Sequence, residues 1–135
     1  MHPGSFATDR REHGRRAELA AERMLRRAGL VVLARNWRAA GGELDLAAME
    51  GETLVFVEVK SRAGAFPEDR PLVRAAQRRR TARASRAFRE RFGVAHLPFR
   101  FDLVTVTGDP RRPASLLWSR SYREGDGPSN HREPA

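Results

Sequence analysis

A chain of 135 residues, 40% hydrophobic and 32% charged, is long enough for one domain with a modest core. It contains no cysteine, which excludes disulfides and thiolate metal sites, and no apolar run near the ~20 residues of a membrane helix or a signal-peptide core. The formal net charge of +9 points to a polyanionic partner, nucleic acid ahead of a membrane surface, so a cytoplasmic protein with no membrane partner is expected.

Residues 1–11 hold the turn formers Pro3, Gly4 and Ser5 and begin no apolar period, so a disordered N-terminal segment is expected there. A helix is expected over 12–28, where Ala17, Ala20, Ala21, Met24, Leu25 and Ala28 recur at helical spacing. Gly29 suits its C-cap, and Arg26 and Arg27 face the negative end of the dipole. Glu18 and Glu22 lie one turn apart beside the apolar stripe. Solvated pairing with Arg15 or Arg26 is the expectation for Glu22, whereas the residues alone leave Glu18 open. Residues 30–35 read as a first strand, followed over 36–42 by a flexible approach. In it, Trp37 is expected to be a packing anchor rather than a stacking platform, and Arg38 is a candidate phosphate contact.

The stretch 41–62 carries the chemistry. Two runs at period two, 43–49 and 53–60, flank Glu50 and Gly51, which predicts a β-hairpin turning at that pair. This register sets Met49 against Glu52, Ala47 against Leu54, Asp45 against Phe56 and Glu43 against Glu58. Glu43, Asp45, Phe56, Glu58 and Lys60 then share one face, and Leu44, Leu46, Ala48, Val55, Val57 and Val59 form an apolar core face. Asp45 and Glu58 become diagonal neighbours, roughly 7–8 Å apart at the backbone. Carboxylates so placed repel unless a proton or cation lies between them, and Mg²⁺ takes one or two protein carboxylates and completes its shell with water or phosphate oxygens. Of the 26 basic residues only Lys60 is a lysine. In an arginine background that choice indicates a need for a compact amine of adjustable pKa; the alternative is a strand-end ion pair with Glu58 or Glu43.

Residues 63–70 read as a mobile loop, and Pro71 suits the first turn of a second helix running from 69 or 70 to 92. Its arginines, at 74, 78, 79, 80, 83, 86, 89 and 91, exceed what solubility needs and favour phosphate-backbone contact over a merely solvated face. Val73, Ala76, Ala84, Ala87 and Phe88 give a thin inner stripe interrupted by Arg80. Gly93 ends the helix, 99–107 is a strand in which Asp102 is expected to be structural, and 115–119 is a short edge strand. The domain thus spans 12–119, and the Gly-, Pro- and charge-rich residues 120–135 are expected to form a disordered tail. The four histidines have no metal spacing, and no Walker, Rossmann or nucleophile-elbow motif is present.

The succession of Glu18 on a first helix, Gly42-Glu43-Leu44-Asp45 and Glu58-Val59-Lys60 thirteen residues beyond that aspartate resembles the PD-(D/E)XK nuclease superfamily. More closely, it resembles the YraN family of small bacterial proteins. The likeness extends over about 14–107 and includes Asn36-Trp37-Arg38, Ser61-Arg62, Gln77-Arg78-Arg79 and Arg100-Phe101-Asp102. It implies an α/β, restriction-endonuclease-like fold, a mixed central sheet flanked by helices. It also implies that Asp45 and Glu58 bind Mg²⁺ or Mn²⁺, that Lys60 positions or deprotonates the attacking water, and that Glu18 matches the first-helix glutamate of archaeal Holliday-junction resolvases. Many relatives have lysine where Ala76 stands, so that helper is absent here.

The expectation is therefore a metal-dependent nuclease hydrolysing phosphodiester bonds, with DNA as the substrate and a preference for branched or flapped structures. Asp45, Glu58, Lys60 and Glu18 are the catalytic candidates, with Asp45 and Glu58 as metal ligands. Arg38, Arg62, Gln77, Arg78 and Arg79 are the nucleic-acid contacts. A homodimer is compatible with the sequence. A non-catalytic nucleic-acid-binding module with the same fold is the alternative, ranked second because Glu43, Asp45 and Glu58 repel phosphate unless a cation intervenes. An assembly factor that meets an acidic protein is the third reading.

Overall fold

The computed structural model describes residues 5–62, 71–109 and 112–121. Its elements are α1 (Ser5–Arg27), β1 (Val31–Ala39), β2 (Gly42–Glu50), β3 (Thr53–Arg62), α2 (Pro71–Arg91), β4 (Phe99–Asp109) and β5 (Arg112–Ser119). Five strands form one sheet in chain order. β1–β2, β2–β3 and β4–β5 pair antiparallel, and β3–β4 pair parallel. A parallel pair needs a long crossover, and α2 lies in that connection. The expected α/β architecture, a mixed sheet with flanking helices, is the one adopted, and it is compatible with a restriction-endonuclease-like fold. α1 begins at Ser5, so of the segment expected to be disordered only residues 1–4 lie outside the described residues. The loop 63–70 and the tail 122–135 also lie outside them.

The β1–β2 and β2–β3 turns are tighter or differently placed than the sequence suggested. Ala40 and Gly41, with φ of +55° and +75°, make a two-residue turn whose left-handed pair matches type I′ and the twist of paired strands. The stretch 36–42 is therefore strand to Ala39 and then this turn, not a flexible approach. In the next hairpin Glu50 pairs with Thr53, leaving Gly51 (φ +59°) and Glu52 as the loop, with glycine in the first position as in a type II′ turn. The expected turn at Glu50 and Gly51 is corrected accordingly. Glu50 stays extended, and its carboxylate lies 2.7 Å from Arg100 and 2.8 Å from Arg120. Ala47 consequently faces Phe56, and Met49 faces Leu54. A slip of two keeps every side chain on its face, but it changes the site: pairing stops at Leu46 and Val57, so Asp45 and Glu58 are the residues just past the last rung on the two strands, level rather than diagonal.

Each helix covers one face of the sheet. Ala17, Ala21 and Leu25 of α1 pack with Leu46, Ala48, Val55, Val57, Val104 and Val106. Ala84 and Phe88 of α2 pack with Leu44, Ala47, Leu54, Phe56 and Phe101. Trp37 meets Phe88 edge-on at 5.3 Å, the packing role expected of it. Two of these assignments correct the expected faces. Phe56 is core, so the face carrying the acids is apolar along most of its length and polar only at one end. Leu44 sits with α2 while Leu46 sits with α1, so alternation slips at Asp45. Opposite Asp45 on β1 is Asn36, whose φ of +48° is a left-handed value that twists the ladder locally. Burying a Leu, Val or Phe side chain contributes roughly 1.5–3 kcal/mol. Two such clusters clamp the sheet and fix the position of its polar end.

Candidate active site

The polar end lies where β2 begins and β3 nears its end. Once the β2–β3 pairing stops at Leu46 and Val57, the Asp45 side chain replaces the next backbone rung: its Oδ2 accepts the Val59 N–H at 2.8 Å. Lys60 points to the same side as Glu58, two residues before it, and its Nζ lies 3.0 Å from Glu58 Oε2. From α2 above, Gln77 Oε1 accepts a second Lys60 N–H at 2.8 Å. The lysine is thus in an ion pair with Glu58, the bland alternative considered for it, and is also tied to a second element. Glu43, Asp45, Glu58, Gln77, Arg80 and Thr81 line a cavity of about 230 Å³ over this cluster. At ~30 Å³ per water, that space takes a hydrated ion or a phosphate group.

The electrostatics are those of a site with too many acids. Burial pushes the Asp45 carboxyl up, the Val59 N–H pulls it back, and the negative field of Glu18, Glu58 and Glu43 pushes it up again, to about 7. Glu18 reaches this cluster from α1. Its own carboxyl is raised by burial, eased by a hydrogen bond from the Asn36 side chain, and raised further by Glu43. The left-handed Asn36 therefore both bends β1 at Asp45 and holds Glu18. Glu22, one turn on, behaves differently. It is buried at 5% exposure, and Arg35 clasps it through two contacts, with Arg26 adding a third, which lowers its carboxyl. The expected solvated pairing is corrected on burial and on the main partner, while Arg26 was anticipated.

α2 forms the cavity's other wall because Gly42 lets it approach. A Cβ at position 42 would stand 2.0 Å from the Arg80 carbonyl oxygen and 2.7 Å from its carbon, a backbone collision that no rotamer relieves. This contact sets Gln77 above Lys60 and Arg80 above Glu43.

The structure therefore brings Asp45, Glu58 and Lys60 together and places Glu18 within their field. The donor chemistry fits a hard divalent ion. One partly buried carboxylate has an oxygen not taken by Val59, a second, Glu58, lines the same cavity, and water has room to complete the shell. Among the described residues no three acids or histidines form a ready-made cage, so the protein would supply two ligands, Asp45 and Glu58. The expected nucleic-acid contacts are dispersed. Arg38 is 78% exposed and loosely paired with Glu43 at 3.4 Å; Gln77 serves Lys60; Arg78 is half-buried; and Arg79 is exposed on the outer side of α2. The Arg62 side chain lies outside the described residues. Sequence reasoning did not assign Thr81 or Asn36 to the site, and it counted Arg80 only among the basic residues of α2. Arg80 had left a signal as the charge that broke an apolar stripe.

Asp102, expected to be structural, is fully buried, and Arg100, the Trp118 indole N–H and the Ser121 N–H all donate to it. No helix among the described residues is long and apolar enough to cross a membrane.

Residues 17–106 match the uncharacterised protein family UPF0102. A UPF0102 protein of Pseudomonas aeruginosa (strain LESB58) is 42% identical over 121 residues, covering 82% of this chain and 94% of its own. One from Anaeromyxobacter sp. (strain Fw109-5) is 39% identical, covering 90% and 91%. One from Symbiobacterium thermophilum is 42% identical, covering 74% and 86%. With the matched region running from the second half of α1 through most of β4, and so covering every residue of the acid cavity, the chain belongs to the UPF0102 family.

Proposed function

We propose that this protein is a divalent-metal-dependent nuclease of the PD-(D/E)XK type, acting on DNA phosphodiester bonds. The observation that supports the reading is the raised proton affinity of Asp45 among Glu18, Glu43 and Glu58, beside a lysine held at 3.0 Å from Glu58. A carboxyl that burial and neighbouring acids both keep from ionising is one that a cation would relieve. A divalent ion held by Asp45 and Glu58 would acidify bound water and neutralise charge on a phosphoryl oxygen. The Val59 N–H fixes one oxygen of Asp45 and so orients the other. Gln77 and Glu58 hold the Lys60 ammonium at the cavity, where it can steer water and stabilise developing negative charge. Arginines on the outer face of α2 would hold the backbone without reading sequence. The test is calorimetric titration of Mn²⁺ into wild type and Asp45→Asn, alongside cleavage assays on duplex, flap and junction DNA. Binding and cleavage in wild type, both lost in the variant, support the proposal; cleavage unchanged in Asp45→Ala and Lys60→Ala would remove it.

A second reading, a nucleic-acid-binding module without catalysis, draws on the absence of a three-acid cage among the described residues. Salt-sensitive binding with no cleavage of any substrate in Mg²⁺ or Mn²⁺ would favour it.

A further inference from the structure

Next to the acid cavity lies a shallower groove, lined by Arg38, Ala39, Gly41, Gly42, Glu43 and Arg80. Arg80 borders both spaces. Its side chain is exposed and in no ion pair among the described residues, although Glu43 lines both of the spaces it borders. Across the groove, Arg38 is 78% exposed and only 3.4 Å from Glu43, a contact loose enough to be given up to a better acceptor. The groove's floor includes Gly41, where an added Cβ would meet nothing within 4 Å. Gly42 is also where the Arg80 carbonyl closes to a distance that no Cβ permits, so the arginine's place at the junction is set by backbone packing.

From these relations we propose that the groove between Arg38 and Arg80 is a phosphate subsite for a nucleic-acid strand whose neighbouring phosphodiester enters the acid cavity. The inference rests on the nuclease reading for its substrate and adds the residues that bind it. Two guanidinium groups, one from β1 and one from α2, suit the forked hydrogen bonding of a phosphodiester. They also answer an electrostatic need, since four acids repel a polyanion and one lysine already committed to Glu58 does not cancel them.

The test measures binding of a fluorescein-labelled single-stranded oligonucleotide and of the matching duplex in chelator, so that catalysis plays no part. Arg38→Gln and Arg80→Gln are each expected to weaken binding about tenfold, the loss of one charged hydrogen-bonding group, and to lower the salt slope by about 1. Arg112→Gln, on β5 at the other edge of the sheet, removes the same charge and should change affinity less than twofold. Because Arg38 and Arg80 would grip one phosphate, their double variant should fall short of the product of the single losses, whereas Arg80→Gln with Arg112→Gln should multiply. Losses no greater than that of Arg112→Gln, or simple multiplication of the Arg38 and Arg80 effects, would overturn the subsite, as would wild-type protein that binds neither oligonucleotide. Circular dichroism melts of each variant show whether it is folded. Wild-type protein that binds in this way yet cleaves no substrate in Mn²⁺ would mark a failure of the nuclease reading alone, distinguishable from a failure of the subsite.

Discussion

Asp45 Oδ2 lies 2.8 Å from the amide nitrogen of Val59, so a side chain closes the β2–β3 ladder at the end where the acids gather. The same carboxyl group is thereby a structural strut and the most perturbed titratable group of the cavity.

Its protonation predicts how stability follows pH. Unfolded, the group titrates near 3.9; folded, it titrates at about 7. Between those values the native state holds the extra proton, so this group's contribution falls as pH rises from about 4 to 7 and is fully lost above 7. Asp45→Asn removes that cost while keeping an acceptor for Val59. Thermal melts in chelator should show the variant more stable than wild type at pH 8, by an amount on the order of a few kcal/mol, with the gap closing by pH 4. A gap that does not change with pH would contradict the assignment.

Metal binding should follow the same proton. Because a cation competes with it, Mn²⁺ affinity in wild type should rise several-fold from pH 6 to pH 8. At a free concentration 100 times Kd, the ion should stabilise the fold by about 2.7 kcal/mol. Differential scanning fluorimetry with and without Mn²⁺ reads both effects, and Asp45→Asn should show neither.

The Lys60–Gln77 contact predicts a separation of binding from chemistry. Gln77→Ala leaves both carboxylates in place, so Mn²⁺ affinity should stay within about twofold while single-turnover cleavage falls roughly 10–100-fold, the usual cost of losing a partner that orients a site residue. Lys60→Arg should not restore activity to a Lys60 variant, since guanidinium is neither compact nor titratable in this range. Full activity in Lys60→Arg would mean that charge alone matters.

Gly42→Ala should be costly out of proportion to one methyl group. The new Cβ meets the Arg80 backbone rather than a side chain that can swing away, so destabilisation at or above the upper end of the ~1–3 kcal/mol typical of overpacking is expected. Urea titration of wild type and variant measures it.

On β4, beside Val57, Asp102→Ala should cost up to about 3–5 kcal/mol, the penalty for breaking a buried ion pair by removing one partner. It would leave Arg100, whose side chain is 12% exposed, without one of its two acids, and would release both Trp118 and Ser121.

The fold and most of the acid constellation were legible because they depend on period and spacing. A slip of two residues in the hairpin leaves faces unchanged, so Asp45, Glu58 and Lys60 came together even though the turn was placed one residue early. Leu44 was misassigned because alternation assumes a regular ladder, and the irregularity arises at Asn36, a residue on another strand with a left-handed φ. Glu22 was misread because its main partner, Arg35, is thirteen residues away and reaches it only once β1 lies beside α1. Arg80 looked like a flaw in an apolar stripe. Its meaning depends on the backbone approach at Gly42, and no periodicity encodes that.

The strand order has a kinetic corollary. β1, β2 and β3 form a meander of short-range contacts, whereas β4 can join β3 only after the whole of α2 has been brought across the sheet, a slower closure. The carboxylates of β2 and β3 would thus be assembled by the early hairpins, and Gln77 and Arg80 would arrive with the late helix. A chain halted between those two events would hold the acids and lack the wall that aims them, so the last folding step would also switch the site on.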